Sequence, residues 1–161
     1  MPWKRIATIT VLSASVWGVQ KIEKPSHVMV GLGCFDICSN HPRFQYELEY
    51  RKEIEKYNLR PLIGVSGTNQ GSTYIYGGLG YDIFLGSYFV LTPSFAPGLY
   101  FKGEGKDLGC ALEFRSSIEL SYIFKNKARL GAQFYHVSNA SLGYKNPGEE
   151  SLIFFYAFPL N

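Results

Sequence analysis

The chain has 161 residues and a formal net charge of +3; 46% of it is apolar, 18% charged and 16% aromatic. That length holds one ordinary domain and excludes a two-domain enzyme. A charged fraction below the soluble norm of about 25% excludes a disordered chain, and a small net charge with no Lys/Arg block excludes a surface that tracks phosphates.

The amino terminus opens with the basic Lys4 and Arg5, runs apolar and small from Ile6 to Val19, and meets charge again at Lys21, Glu23 and Lys24. An apolar helix needs about 20 residues to cross a bilayer, so this shorter run reads as a cleaved export signal over residues 1–20. The mature chain then begins between Val16 and Lys21, and residues 21–161 form the domain. Cys34, Cys38 and Cys110 are an odd number for a disulfide framework, and no His or second Cys pair stands near them to make a metal site. They read as small buried or lipid-facing thiols.

Beyond Lys24 the pattern has a period of two. Twelve Tyr, 12 Phe and 17 Gly beside 2 Met agree with β-structure. Alternating runs fall near 28–37, 43–51, 59–67, 72–83, 88–101, 110–124, 127–139 and 150–160, which predicts eight strands. Residues 52–58, 85–87 and 125–127 read as turns at one end, and the Gly/Asn-rich stretches after the first, third, fifth and seventh strands as loops at the other. Several runs reach the roughly 9–11 residues of a tilted membrane-spanning strand. Gly77, Gly78, Gly80, Gly86 and Gly98 suit close strand approach and bending.

Two strands show the alternation most sharply. In 43–51 the odd residues Arg43, Gln45, Glu47, Glu49 and Arg51 are polar, and the even ones are Phe44, Tyr46, Leu48 and Tyr50. In 110–124 Glu113, Arg115, Ser117, Glu119 and Ser121 share one face, while Cys110, Leu112, Phe114, Ser116, Ile118, Leu120, Tyr122 and Phe124 share the other. A soluble barrel turns its apolar face inward; a membrane barrel turns it to lipid and fills its lumen with the polar one. Opposite charges at Glu47, Glu49, Arg51, Glu113, Arg115 and Glu119 can pair across a narrow lumen and close it. The predicted fold is all-β: an eight-stranded antiparallel transmembrane barrel of the bacterial outer membrane. A soluble lipocalin-like barrel is the rival.

The seventh strand breaks its own pattern. Ala128, Leu130, Ala132 and Phe134 give way on the same face to His136 and Ser138. Side chains two residues apart on a strand lie within about 7 Å, so the imidazole can act as base toward the hydroxyl. Glu150 opens the eighth strand on the parity of Leu152, Phe154, Tyr156 and Phe158, and a hairpin sets it beside His136. Ser138 is then nucleophile, His136 base and Glu150 the group that orients it. Asn139, Asn146 and the amides around Ala140 and Ser141 are candidate oxyanion donors. Arg43, Lys102, Lys106 and Lys145 near the loop ends are candidate phosphate partners.

His136, Val137, Ser138, Asn139 and Ala140, followed by Asn146, Gly148, Glu150 and Ser151, resemble the active-site hairpin of the outer-membrane lipid A 3-O-deacylase (PagL) family over about residues 130–157. The resemblance implies hydrolysis of the 3-O ester-linked acyl chain of lipid A, the substrate partner, in the outer leaflet, with release of a 3-hydroxy fatty acid. It puts the triad on His136, Ser138 and Glu150, the following Asn on Asn139 and the loop oxyanion Asn on Asn146, and needs neither cofactor nor metal. Ser141 stands after Ala140 where the family has glycine, and Pro147 follows Asn146. The alternatives are a noncatalytic small barrel serving adhesion or envelope structure, and an acyl transferase with an interior hydrocarbon site. A homodimer is compatible with a broad lipid face; no nucleic acid is expected as partner.

Overall fold

The computed structural model describes residues 25–54 and 57–160. The export signal expected over residues 1–20 lies outside them. Nine antiparallel strands run in chain order: β1 (Ser26–Phe35), β2 (Arg43–Arg51), β3 (Leu59–Thr68), β4 (Thr73–Tyr81), β5 (Ile83–Leu85), β6 (Phe89–Phe101), β7 (Leu112–Ile123), β8 (Arg129–Ser138) and β9 (Glu149–Leu160). The short β5 continues the line of β4, so the barrel has eight staves. Apart from β5, each strand pairs with its predecessor; β9 returns to β1, and β6 pairs with both β4 and β5. The circle is closed, which removes the free edges an open sheet would offer.

The expected strands match these boundaries within a few residues, apart from the break at Asp82. There the N–H bonds to the carbonyl of Asn58, just before β3 begins, the β3–β4 ladder stops at Leu59–Tyr81, and the last residues of the stave pair with β6. The loop ends are also less uniform than expected: the β3–β4 connection, at the end of the longer loops, spans only residues 69–72. At the β4–β6 contact Gly78 is required, because a Cβ there would meet the Phe95 carbonyl at 2.1 Å.

Strand parity sorts the faces as expected for a membrane barrel. Phe44, Tyr46, Leu48, Ile118, Leu120, Phe134 and Phe154 stand exposed outside, while Gln45, Glu47, Glu49, Arg51, Glu113, Arg115 and Glu119 are buried inside. An apolar outer belt around a charged interior suits lipid and would suit no aqueous solvent. Cys34 lies exposed on the outer parity of β1, and all three cysteines are free thiols.

The lumen is filled. Arg115 lies between the rings of Tyr76 and Tyr135, 4.4 and 4.3 Å from their centroids, and bonds Glu47 at 2.8 Å, Glu49 at 3.1 Å and the side-chain oxygen of Gln133. Arg51 joins Glu49 to Glu119. Nearer the turns, Asp82 accepts from Arg60, Arg129 and the Thr92 hydroxyl, and His27 contacts Arg60 and the Lys127 carbonyl. At the loop end a cavity of about 10 Å³, lined by Phe35, Gln45, Tyr74, Tyr100 and Glu149 among others, is no larger than one water. An acyl chain does not fit that cavity.

Candidate active site

His136 sits in β8 directly opposite Glu150 in β9. Both take the outward parity, while their neighbours Tyr135, Val137, Glu149 and Ser151 are buried. His136 Nδ1 lies 3.0 Å from Glu150 Oε1, with side chains 45% and 33% exposed, so the pair is reachable from outside the barrel. An ionised carboxylate only accepts, so Nδ1 carries the proton of this bond and Nε2 is left as the acceptor. The Glu150 backbone is held in turn by the Ile37 N–H, which donates to its carbonyl at 2.8 Å. The adjacent Glu149 turns inward and accepts from the Ser151 hydroxyl at 2.9 Å. Two consecutive carboxylates thus serve opposite faces of one strand.

Ser138 shares the outward face two residues closer to the loop, at the end of β8. Its hydroxyl makes no hydrogen bond to His136 among the described residues. The imidazole packs against Gly148. A Cβ at Gly148 would lie 2.8 Å from His136 Cε1 and 3.4 Å from Nε2. Gly148 also has φ +60°, so it combines the conformation and the bareness that let the imidazole lie against the loop.

The two candidate asparagines do different things. Asn139 is fully buried, and its side-chain amide donates to the carbonyls of Leu108 at 2.8 Å and Lys145 at 2.9 Å. Asn146 is exposed, and its side-chain oxygen accepts the Asn139 N–H at 3.1 Å. Together they fix the turn that follows Ser138. In that turn Ala140 and Ser141 have φ +51° and +63°, an arrangement in which successive N–H groups can converge on an anion. Neither N–H has a hydrogen-bond partner among the described residues.

The turn is laced to the β6–β7 loop. Asp107 accepts from Tyr144 and from the Gly109 N–H at 2.9 Å, and Lys145 pairs with it at 3.3 Å. Those donors, Tyr144 first, hold the Asp107 carboxyl at about 2, below its usual range. Of the four cations considered for phosphate, Lys145 is engaged in this way and Lys106 pairs with Asp36 at 2.7 Å. Arg43 takes the inward parity of β2, with Nε and Nη1 buried and unpartnered, and Lys102 stands exposed.

Around the pair the outer surface is aromatic and apolar. Phe114 faces Ser138 across β7, Ser116 faces His136, and Phe95 stacks on Phe114 with centroids 6.0 Å apart. Sequence reading had no access to Gly148 as a seat for the ring or to the cross-strand position of Ser116, because both depend on register.

A family model described as Lipid A 3-O-deacylase (PagL) matches residues 42–159. The crystal structure of the outer membrane enzyme PagL is similar over 83% of this chain and 99% of its own, with a TM-score of 0.67 and 21% identity. Neisserial surface protein A is similar over 84% and 96%, with a TM-score of 0.58 and 12% identity. The Yersinia pestis outer membrane protein Ail is similar over 83% and 99%, with a TM-score of 0.51 and 11% identity. At these identities the solved structures establish the barrel fold. No curated protein matches the chain.

Proposed function

The chain belongs to the lipid A 3-O-deacylase (PagL) family, and we propose that it hydrolyses the 3-O acyl ester of lipid A in the outer membrane with Ser138, His136 and Glu150 as its catalytic residues. The observation that carries this reading is the hydrogen-bonded His136–Glu150 pair, beside Ser138, on a face that is otherwise built for lipid. Polar and ionisable groups at lipid-facing positions are costly and mark function.

Ser138 Oγ attacks the ester carbonyl and gives its proton to His136 Nε2, while Glu150 holds the tautomer and stabilises the imidazolium. The sugar 3-oxygen leaves with that proton. A water, deprotonated by His136, then hydrolyses the acyl-serine and frees a 3-hydroxy fatty acid. The Ala140 and Ser141 N–H groups, in the turn fixed by Asn139 and Asn146, are the donors for the oxyanion. Because the groups face outward, substrate reaches them by lateral diffusion in its own leaflet, and no interior pocket is needed.

Mass spectrometry of lipid A exposed to wild type and to Ser138→Ala, at equal folded amounts, tests this. Loss of one hydroxyacyl chain with wild type alone supports it. Unchanged lipid A with both leaves a noncatalytic envelope barrel as the function.

A further inference from the structure

On the outward face of β6 to β9 nearly every strand position is apolar or aromatic. The exceptions are His136, Ser138, Glu150 and one residue outside the proposed triad, Ser116. Ser116 is exposed in β7, directly across from His136 on the side away from Glu150, with Phe95 opposite it on β6. Its hydroxyl has no hydrogen-bond partner among the described residues. In hydrocarbon such a group is left unsatisfied at a cost that alanine or leucine would avoid, so the fold alone does not account for a serine here.

Depth tells what Ser116 would meet. It pairs with residue 136, one step farther from the loops than Ser138. An acyl chain whose carbonyl is held at Ser138, with its tail running into the leaflet, passes beside it. Diagonal positions on neighbouring strands lie about 7–8 Å apart. A carbonyl carbon about 3–3.5 Å from the Ser138 oxygen, the short run to a hydroxyl on the third carbon, and an O–H···O contact of about 2.8 Å span that separation. An unhydroxylated chain offers nothing at this point.

We propose that Ser116 is a specificity-determining residue, whose hydroxyl bonds the 3-hydroxyl of the acyl chain being released and so selects 3-hydroxyacyl esters over unhydroxylated ones. The inference rests on the deacylase reading above and names the chain that site prefers. Stacked Phe95 and Phe114 flank Ser116 and Ser138 and provide the apolar bed for the methylenes on either side of the hydroxyl.

The test compares kcat/KM of the full-length protein in detergent micelles on two synthetic 3-O-acylglucosamine lipids, alike except that one acyl chain carries a 3-hydroxyl. Wild type should favour the hydroxylated ester by about tenfold, the worth of one hydrogen bond. Ser116→Ala should bring the ratio close to one, and Ser116→Thr should restore most of it. A ratio near one in wild type, or an unchanged ratio in Ser116→Ala, overturns the assignment. Ser138→Ala separates the two levels: if it cleaves both esters like wild type, the deacylase site and this proposal fall together. If it is inactive while Ser116→Ala keeps the wild-type ratio, the proposal about Ser116 falls alone.

Discussion

His136 and Glu150 are direct cross-strand partners, with Nδ1 of one 3.0 Å from Oε1 of the other. A ladder of backbone hydrogen bonds, and no mobile loop, sets that distance. Glu150→Gln keeps the shape but places an amide that can donate to Nδ1, which shifts the proton to Nε2 and disables the base. A loss of kcat of about 10²- to 10⁴-fold with little change in KM is expected. Single-turnover lipid A hydrolysis, read by mass spectrometry, decides it; full activity would remove Glu150 from the triad.

Gly148→Ala puts a methyl 2.8 Å from His136 Cε1 at a residue with φ +60°. The ring must swing aside, away from its line to Ser138. Activity should fall about 10²-fold, in keeping with the sensitivity of such geometry to shifts of about 1 Å, while heat-modifiable migration still reports a folded barrel. An active alanine variant would show that the ring needs no such seat.

Ser141→Gly should raise stability by about 1 kcal/mol. Ser141 holds φ +63° in the left-handed region, where a Cβ costs roughly 1–2 kcal/mol and glycine pays nothing. Part of the gain is lost to the greater freedom of glycine in the unfolded chain. Urea titration of the refolded barrel measures the difference, and a destabilised glycine variant would contradict the assigned strain.

Arg115→Ala should destabilise by about 3–5 kcal/mol, because it leaves the buried Glu47 without its cation, beside a Glu49 that keeps Arg51 alone. The same urea titration checks it. Arg115→Ala with Glu47→Gln and Glu49→Gln should recover much of the loss, since the uncompensated charge is then gone.

The loop clasp depends on pH through Asp107. Its folded value, about 2, lies below the ordinary carboxylate near 3.9. A depressed value means the clasp contributes fully above pH 4 and fades as pH falls toward 2. Hydrogen exchange at Gly109, whose N–H donates to Asp107, should lose protection across that window relative to neighbouring amides. Asp107→Asn should abolish the transition.

The staves and their facing were legible because lipid outside and charge inside impose a strict period of two. The shared outward face of His136, Ser138 and Glu150 was legible for the same reason, since polar residues on the lipid parity stand out. The reading fails where parity breaks. Ala128, expected outward, is buried: it lies in the turn before β8, next to Lys127 with φ +66°, so strand parity does not reach it. Arg43, expected beside a phosphate, faces the interior by the same parity that placed Glu47. Asn139 carries a polar amide like any loop residue, and only the chain crossing at Leu108 and Lys145 shows that it is a buried brace. The His136–Ser116 adjacency depends on the β7–β8 register, which no single strand encodes.

Strand β9 has two neighbours and two duties. On one side it presents Glu150 to His136; on the other it pairs with β1 from Ser26–Leu160 to Cys34–Leu152, and beyond that ladder Ile37 grips the Glu150 carbonyl. The carboxylate therefore sits where the first and last strands of the barrel are stitched together. A polypeptide still in transit, with those strands apart, lacks that grip on the Glu150 backbone. Under the proposed mechanism, assembly would do what a propeptide does in a zymogen: hydrolytic competence would arrive with the final seam.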